Sequence, residues 1–481
     1  MAPHFANGIP TRLLMWQRVR AYAVPPSMIE TATARRAAGD WAGACAAARI
    51  DVDLDLRAVR DRHGTELTTR LRADLRRLAP DLLRWHMPRI APDGRLRPGL
   101  TLSLARYGST GGPSPQLVVR TPPAWADAGQ RMSLALWEGP VDGTPWDRPH
   151  PHPHPDRRFR LDLHRHLWDA AHSGELARRC GVDAPPAAGD PFAAHRAAAH
   201  WAAEAELLLR AEGRPARGAF TVRLGARSRA VLELVAPDDS HAPVVRPLRE
   251  ALPPHEAAAL PVLPEAAVRV LPDLELLRAG LITPERLHPL VAAALAADGP
   301  VAAYGSAPAD GPGPGVGPRS GDPHRVECRG EVHRIALRDG VLTAVDHDPD
   351  QLRREALLVA LGGPALPCLR AIDAVHRRPE ALPAVRERLR HGDVAGALAV
   401  VEGLLGPGAV LRDGPLRDEL RAAAVRRVDH GLFRSGLVAV HPAAGTRSAE
   451  ADRRPRLDRR TPLEVRRKRG SRTRPRTGLT A

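Results

Sequence analysis

Aromatic residues make up only 3% of this 481-residue chain, and Lys468 is the one lysine among 71 basic residues. With so few aromatics, the cores must be filled by Leu, Val, Ala and the eight tryptophans. Ala removes little area from water, and burial contributes only about 25 cal/mol per Å², so thin cores are expected. The four cysteines, Cys45, Cys180, Cys328 and Cys368, are scattered and include no Cys-x-x-Cys pair. That argues against a disulfide framework and for a reduced, cytoplasmic protein. No run approaches the roughly 18 apolar residues of a membrane span, so no membrane partner is expected. Arg12, Arg18 and Arg20 stand near the N-terminus without the continuous apolar stretch of a secretion signal. The P-loop, a GxGxxG turn after a strand, GxSxG, HExxH and the kinase signatures are all missing. The sequence therefore names no catalytic residue and no cofactor.

What the chain does have is 49 prolines, 41 glycines and a formal charge of +16. Its length predicts two or three domains. Heavy use of Arg, Ala, Pro and Gly reads first as drift in a GC-rich genome. The expected class is α+β: mostly helical, with short antiparallel sheets or hairpins, several modules, disordered linkers and a basic C-terminal tail. Residues 1–27 read as a loosely ordered leader, with Met28 an alternative start. Residues 28–138 read as a helical bundle, with Leu67, Leu71, Leu75, Leu78 and Leu82 on one face, followed by antiparallel strands where Leu100, Leu102 and Leu104 alternate with polar residues. A Pro/His linker, 139–156, contains Pro-His-Pro-His-Pro-His-Pro and forbids helix and ladder alike. Residues 157–304 read as helical with one β-hairpin: helix over 159–210, paired strands at 219–224 and 230–235, and Pro-punctuated helices over 243–300. A Gly/Pro linker covers 305–323. Residues 324–440 form a ββα unit followed by a helical hairpin. Beyond 441, 13 basic residues face four acids, a net of +9.

Residues 324–363 carry the densest folding signals. Two short strands, 332–338 and 341–345, flank Asp339-Gly340, a dipeptide suited to a two-residue turn. Asp348 is placed to cap a helix with Pro349 in its first turn, and Gly362-Gly363-Pro364 ends it. His324, Cys328, His333 and His347 are the candidate metal ligands here, although His-x3-Cys-x4-His is not a standard zinc spacing and a fourth ligand must come from elsewhere. The Asp346, Asp348 and Asp350 cluster is accounted for by turning and capping.

Two helical turns share a signature. Gly39-Asp40-Trp41-Ala42-Gly43-Ala44 parallels Gly392-Asp393-Val394-Ala395-Gly396-Ala397. Over 388–420 the second copy resembles one degenerate ankyrin repeat. Gly392-Asp393 stand at its inter-helix turn, Val400-Val401-x-x-Leu404-Leu405 on its second helix, Gly408-Ala409 at the family's Gly-Ala, and Asp413-Gly414 at the following loop tip. It departs from the family where Pro415-Leu416-Arg417-Asp418 replaces Thr-Pro-Leu-His. The resemblance implies a protein-binding surface without chemistry; one repeat cannot bury its own faces. The whole chain also resembles proteins of GC-rich bacteria that carry no assigned activity.

These readings converge on a non-enzymatic interaction or scaffold protein with a protein partner. The alternative is nucleic-acid association through the tail, with Arg466, Arg467, Lys468 and Arg469 as its contacts; such binding is salt-sensitive and sequence-blind. An enzyme with a site assembled from separated residues is the third.

Overall fold

The computed structural model describes residues 5–6, 9–108, 114–139, 154–180, 200–225, 228–235, 242–248, 252–297, 324–328, 330–338, 341–377, 381–405 and 410–435. Both linkers lie wholly or largely outside the described residues, and the tail and its four nucleic-acid candidates lie wholly outside them. The chain divides into two units, Met1–Ala307 with Leu432–Ala481, and Pro308–Gly431.

The larger unit begins β1 (Phe5–Ala6), β2 (Ile9–Pro10), α1 (Thr11–Tyr22), α2 (Pro26–Ala37), α3 (Trp41–Ala47) and β3 (Ile50–Asp53). It continues through α4 (Leu56–Arg77), α5 (Pro80–His86), β4 (Arg89–Ile90), β5 (Arg95–Leu96), β6 (Thr101–Arg106), β7 (Gln116–Arg120) and β8 (Met132–Trp137). There follow α6 (Leu176–Arg179), α7 (Trp201–Ala211), β9 (Gly218–Arg223), β10 (Arg229–Val235) and β11 (Val244–Pro247). Four helices close it: α8 (Pro254–Ala259), α9 (Glu265–Val268), α10 (Pro272–Arg278) and α11 (Pro289–Ala297). The smaller unit contains β12 (His324–Cys328), β13 (Glu331–Arg338), β14 (Val341–Ala344), α12 (Pro349–Ala360), α13 (Pro367–Arg377), α14 (Leu382–Arg390) and α15 (Val394–Leu405); α16 (Pro415–Arg434) follows. The class is α+β, mostly helical with short sheets that are antiparallel but for one edge pair.

The alternating stretches around Leu102 and Leu134 form β6 and β8, and the compact apolar run at 117–120 forms β7 between them, antiparallel as expected. Unexpected was β3, which adds to β8 in parallel, Ile50 opposite Met132. Four residues reading Ile-Asp-Val-Asp are too short and too acidic to show a strand period. Likewise β11 occupies the start of the stretch read as helical. Val244 and Val245 are β-branched and pair with Val235 and Leu234, extending the β9–β10 hairpin to three strands. Of the helix expected over 159–210, the part around Trp201 is present as α7, whereas over the described residues 159–180 the chain forms only single 3-10 turns at Arg165–Leu167 and Ser173–Glu175 and the one-turn α6; residues 181–199 lie outside the described residues. The apolar residues there serve two cores rather than one helix face. Leu161, Leu167 and Trp168 join the main cluster, whereas Leu163 packs against a second cluster around Trp201 and Phe220.

The main core gathers residues from Val19 to Leu295, so the stretches read as separate modules 28–138 and 157–304 share one interior. Part of the expected leader is α1, with Met15, Val19 and Arg20 buried. Arg20 forks onto the Asp273 carboxylate, Nε to Oδ1 at 2.9 Å and Nη2 to Oδ2 at 2.6 Å, and donates through Nη1 to the Trp85 carbonyl at 2.7 Å. Trp85 Nε1 donates to the same carboxylate at 3.1 Å, and the guanidinium carbon sits 4.2 Å from the Trp85 ring centre. A second buried pair joins the smaller core: Arg179 donates to both Glu204 oxygens at 2.7–2.9 Å, and His164 Nε2 lies 3.1 Å from Oε2.

The twin turns are built alike. Gly39 (φ 77°) and Gly392 (φ 80°) both take left-handed conformations that release the preceding helix. Asp40 accepts from the Gly43 N–H at 2.8 Å and Asp393 from the Gly396 N–H at 3.2 Å. In each, an arginine five residues earlier, Arg35 or Arg388, binds the other carboxylate oxygen. A Cβ on Gly43 or on Gly396 would sit 2.1 Å from the capping carboxylate, which is why glycine recurs there.

Asp273→Ala leaves the Arg20 charge buried without its partner, and urea unfolding should show a loss of about 3–5 kcal/mol. Replacing Arg20 and Asp273 together by Met and Leu should recover most of it. A pH scan probes the second pair. Burial opposes the charged form of Glu204, yet its bonds to His164 and Arg179 outweigh that and hold it at about 2, below the usual 4.5. A depressed carboxyl contributes its stability above pH 4.5 and loses it as pH falls toward 2. The contribution is on the order of 3 kcal/mol, so Glu204→Gln should flatten the acid limb of a stability profile over that window.

Candidate metal centre

In the smaller unit the strand period places one row of side chains inward. Val326 and Cys328 on β12, Ile335 and Leu337 on β13, and Leu342 and Ala344 on β14 all belong to its core. β12 pairs antiparallel with β13, Val326 opposite His333 and Cys328 opposite Glu331, and β13 with β14, Ile335 opposite Ala344. Arg338 opposite Val341 leaves a two-residue connection, as expected for Asp339-Gly340, which lie outside the described residues.

Past β14 the chain turns through Asp346 and His347. Asp346 accepts from the Arg334 backbone N–H at 2.7 Å and from its guanidinium at 2.6 Å, which holds the carboxyl down at about 2. That contact fixes the turn and aims His347 back over the sheet. Asp348 occupies the N-cap position of α12, but its side chain makes no capping bond, contrary to expectation. Pro349 behind it has no N–H to satisfy, and the backbone supplies the first bond, Leu352 N–H to the Asp348 carbonyl at 3.0 Å. Gly362 (φ 90°) ends α12 as expected, with Gly363 N–H on the Leu358 carbonyl at 2.8 Å. The chain then returns as α13, which brings Cys368 in its first turn onto the sheet.

Three elements thus converge. The sulfurs of Cys328 and Cys368 and one ring nitrogen of His347 lie within 4.8 Å of one another, all three residues buried. Tetrahedral zinc, with Zn–S bonds of about 2.3 Å, sets sulfurs about 3.8 Å apart, a spacing that falls inside this bound. Burial raises the Cys368 thiol to about 11, and the neighbouring Cys328 thiol adds to the rise. A divalent cation reverses that balance, because a coordinating thiol is deprotonated outright. Cys368 also sits where the N-terminus of α13 favours a thiolate. Two thiolates and an imidazole are the donor set of zinc rather than of magnesium or calcium.

Of the four ligand candidates read from the sequence, the structure brings Cys328 and His347 into the cluster. His333 is beside it, its ring stacked on His347 with centroids 4.1 Å apart and planes 18° from parallel. The side chain of His324 lies outside the described residues, although its backbone is in β12. Cys368 was missed, since 40 residues separate it from Cys328 and only the return of α13 joins them. No family model, no curated protein and no solved structure matches the chain.

Proposed function

We propose that the smaller unit is a metal-stapled recognition module and that the chain works as a non-enzymatic interaction or scaffold protein. The observation that carries this reading is the buried convergence of Cys328, His347 and Cys368 from three separate elements. An ion there ties β12, the turn before α12 and the start of α13 together, in a unit whose core is otherwise small. Cys328 and Cys368 are 0% exposed and His347 8%, which suits a structural ion better than one that turns over a substrate. His333 is the neighbouring imidazole placed to complete the shell.

Recognition falls to α12. No residue of that helix is buried, and Leu352 is its contact with the unit's core. Leu357 is 65% exposed and Leu361, just beyond the helix, 88%, with Leu358 and Val359 exposed between them. A run of apolar side chains in water costs free energy that an apolar partner surface recovers. The ankyrin-like α14–α15 pair belongs to the same reading, as does a reducing cytoplasmic setting in which the two cysteines stay available as thiolates. Among the described residues no helix is long and apolar enough to cross a membrane.

Purified under reducing conditions without a polyhistidine tag, the full chain should carry about one zinc per molecule by elemental analysis. Cys328→Ser, Cys368→Ser and His347→Ala should each lose most of it and lower the Tm, with His333→Ala weaker in effect. A metal-free protein whose Tm is unmoved by added zinc sinks the proposal. For recognition, the natively expressed protein should co-purify with a stoichiometric protein partner. Leu357→Asp with Leu361→Asp should abolish that association while leaving the zinc content unchanged; a partner retained by the double variant places the docking face elsewhere.

A further inference from the structure

The larger unit holds a cavity of about 610 Å³ that the proposed function leaves unused. Its size is that of small-molecule sites, roughly 300–1,000 Å³. One wall is a face of α4, where Arg70, Asp74 and Arg77 follow at helical spacing; opposite stand Arg106 at the end of β6 and Tyr107 just after it. Arg160 and Arg165 come from the turns before α6, and Glu212 from the end of α7. Five arginines therefore meet three carboxylates, Asp74, Asp162 and Glu212.

The carboxylates are already engaged. Asp74 accepts from Tyr107 Oη at 2.9 Å, from Arg77 at 3.0 Å and from Arg165. Asp162 takes both Nε and Nη2 of the buried Arg160 at 2.8 Å, and Glu212 takes its Nη1. Arg106 is not bonded in this way. It stands 3.5 Å from Asp162 and 3.7 Å from Glu212, beyond the roughly 2.7–3.2 Å of an N–H···O bond, and its Nε is buried without a hydrogen-bond partner among the described residues. Burial and the adjacent Arg160 lower its pKa, so an incoming anion would relieve it. Arg70 is exposed at the rim, its guanidinium 5.9 Å from the Tyr107 ring centre.

We propose that this cavity binds a small phosphate monoester, with Arg70 and Arg106 taking the phosphoryl oxygens and the salt-bridged Arg160 and Arg165 as a fixed electropositive floor. Five lining arginines exceed the carboxylates around them even when the buried Asp169, which also binds Arg165, is counted with Asp74, Asp162 and Glu212. A phosphate monoester, with about −1.5 to −2 charge at neutral pH, suits that positive surplus. Guanidinium forks present paired donors to its oxygens.

Thermal-shift titration of the full chain with phenyl phosphate, at constant ionic strength, tests this. A saturable rise in Tm is expected at millimolar ligand or below. Arg70→Gln and Arg106→Gln should each weaken the apparent affinity at least fivefold, whereas Arg353→Gln, a surface change in the smaller unit, should not alter it. Arg70 is exposed, so its variant folds and decides the matter even if Arg106→Gln is unstable. No saturable shift overturns the proposal. Affinity unchanged in Arg70→Gln does so too, placing the phosphate elsewhere, such as on the arginine-rich tail. Malonate binding as tightly as phenyl phosphate would make the site one for dicarboxylates and overturn the phosphate assignment.

Discussion

The larger unit depends on a guanidinium placed where water cannot reach it. Arg20 and Asp273 lie 253 residues apart, are nearly inaccessible, and meet between α1 and α10 with the Trp85 ring against the guanidinium. Removing two charges from water costs several kcal/mol per ion before their attraction offsets it. The geometry meets that cost by satisfying nearly every polar atom: Asp273 takes three N–H donors, and the remaining guanidinium arm finds the Trp85 carbonyl. The net gain in stability over an apolar pair is small. The gain in uniqueness is larger, because any packing of α1 that misses Asp273 strands a charge. Such a pair closes α1 and α10, which lie far apart in the chain, onto one core.

Arg84 shows the same economy without a carboxylate. Fully buried, it donates to the carbonyls of Ala48, Arg49 and Gln130, and burial drives its pKa well below the usual value. The carbonyls it binds flank β3 and β8, so the guanidinium also ties the parallel edge strand to α5. In a chain with few aromatics, long arginine stems fill volume while their heads collect loose backbone acceptors. The near absence of lysine, which reads in the sequence as genome drift, therefore has structural uses: a single ammonium could not form the planar fork seen on Asp273.

Local order was legible in most places where one residue type does one job, the unformed Asp348 cap excepted. The Gly-Asp turns, the alternating apolar residues of β6 and β8 and the Gly362 stop follow from short-range sterics and appear where the sequence places them. What was not legible depends on partners far along the chain. β3 has no period of its own and exists because β8 offers an edge. The apolar residues from Leu161 to Trp168 mimic a helical stripe, but two cores compete for them. The Cys328–His347–Cys368 cluster shows both sides: Cys328 and His347 stood within one readable folding unit, whereas Cys368 lay beyond its end. The signal was present as Pro367-Cys368 opening a helix straight after a glycine stop, yet nothing local says that this helix folds back onto the strands.

That return also bears on what kind of site the cluster is. A catalytic ion needs an open coordination position facing a space a substrate can enter. Here the three candidate side chains sit between a sheet face and the helix laid over it, with Ile335, Leu342, Ala344, Leu366 and Ile372 in the same core. Apolar surroundings of that kind lower the local dielectric and strengthen a thiolate–cation bond, and they restrict the access that turnover requires. An ion taken up by the two cysteines and the histidine would join the end of one strand, a turn and the first residues of a helix, places where the chain changes direction. In a three-stranded sheet with a core this small, such an ion would link segments 40 positions apart in the chain.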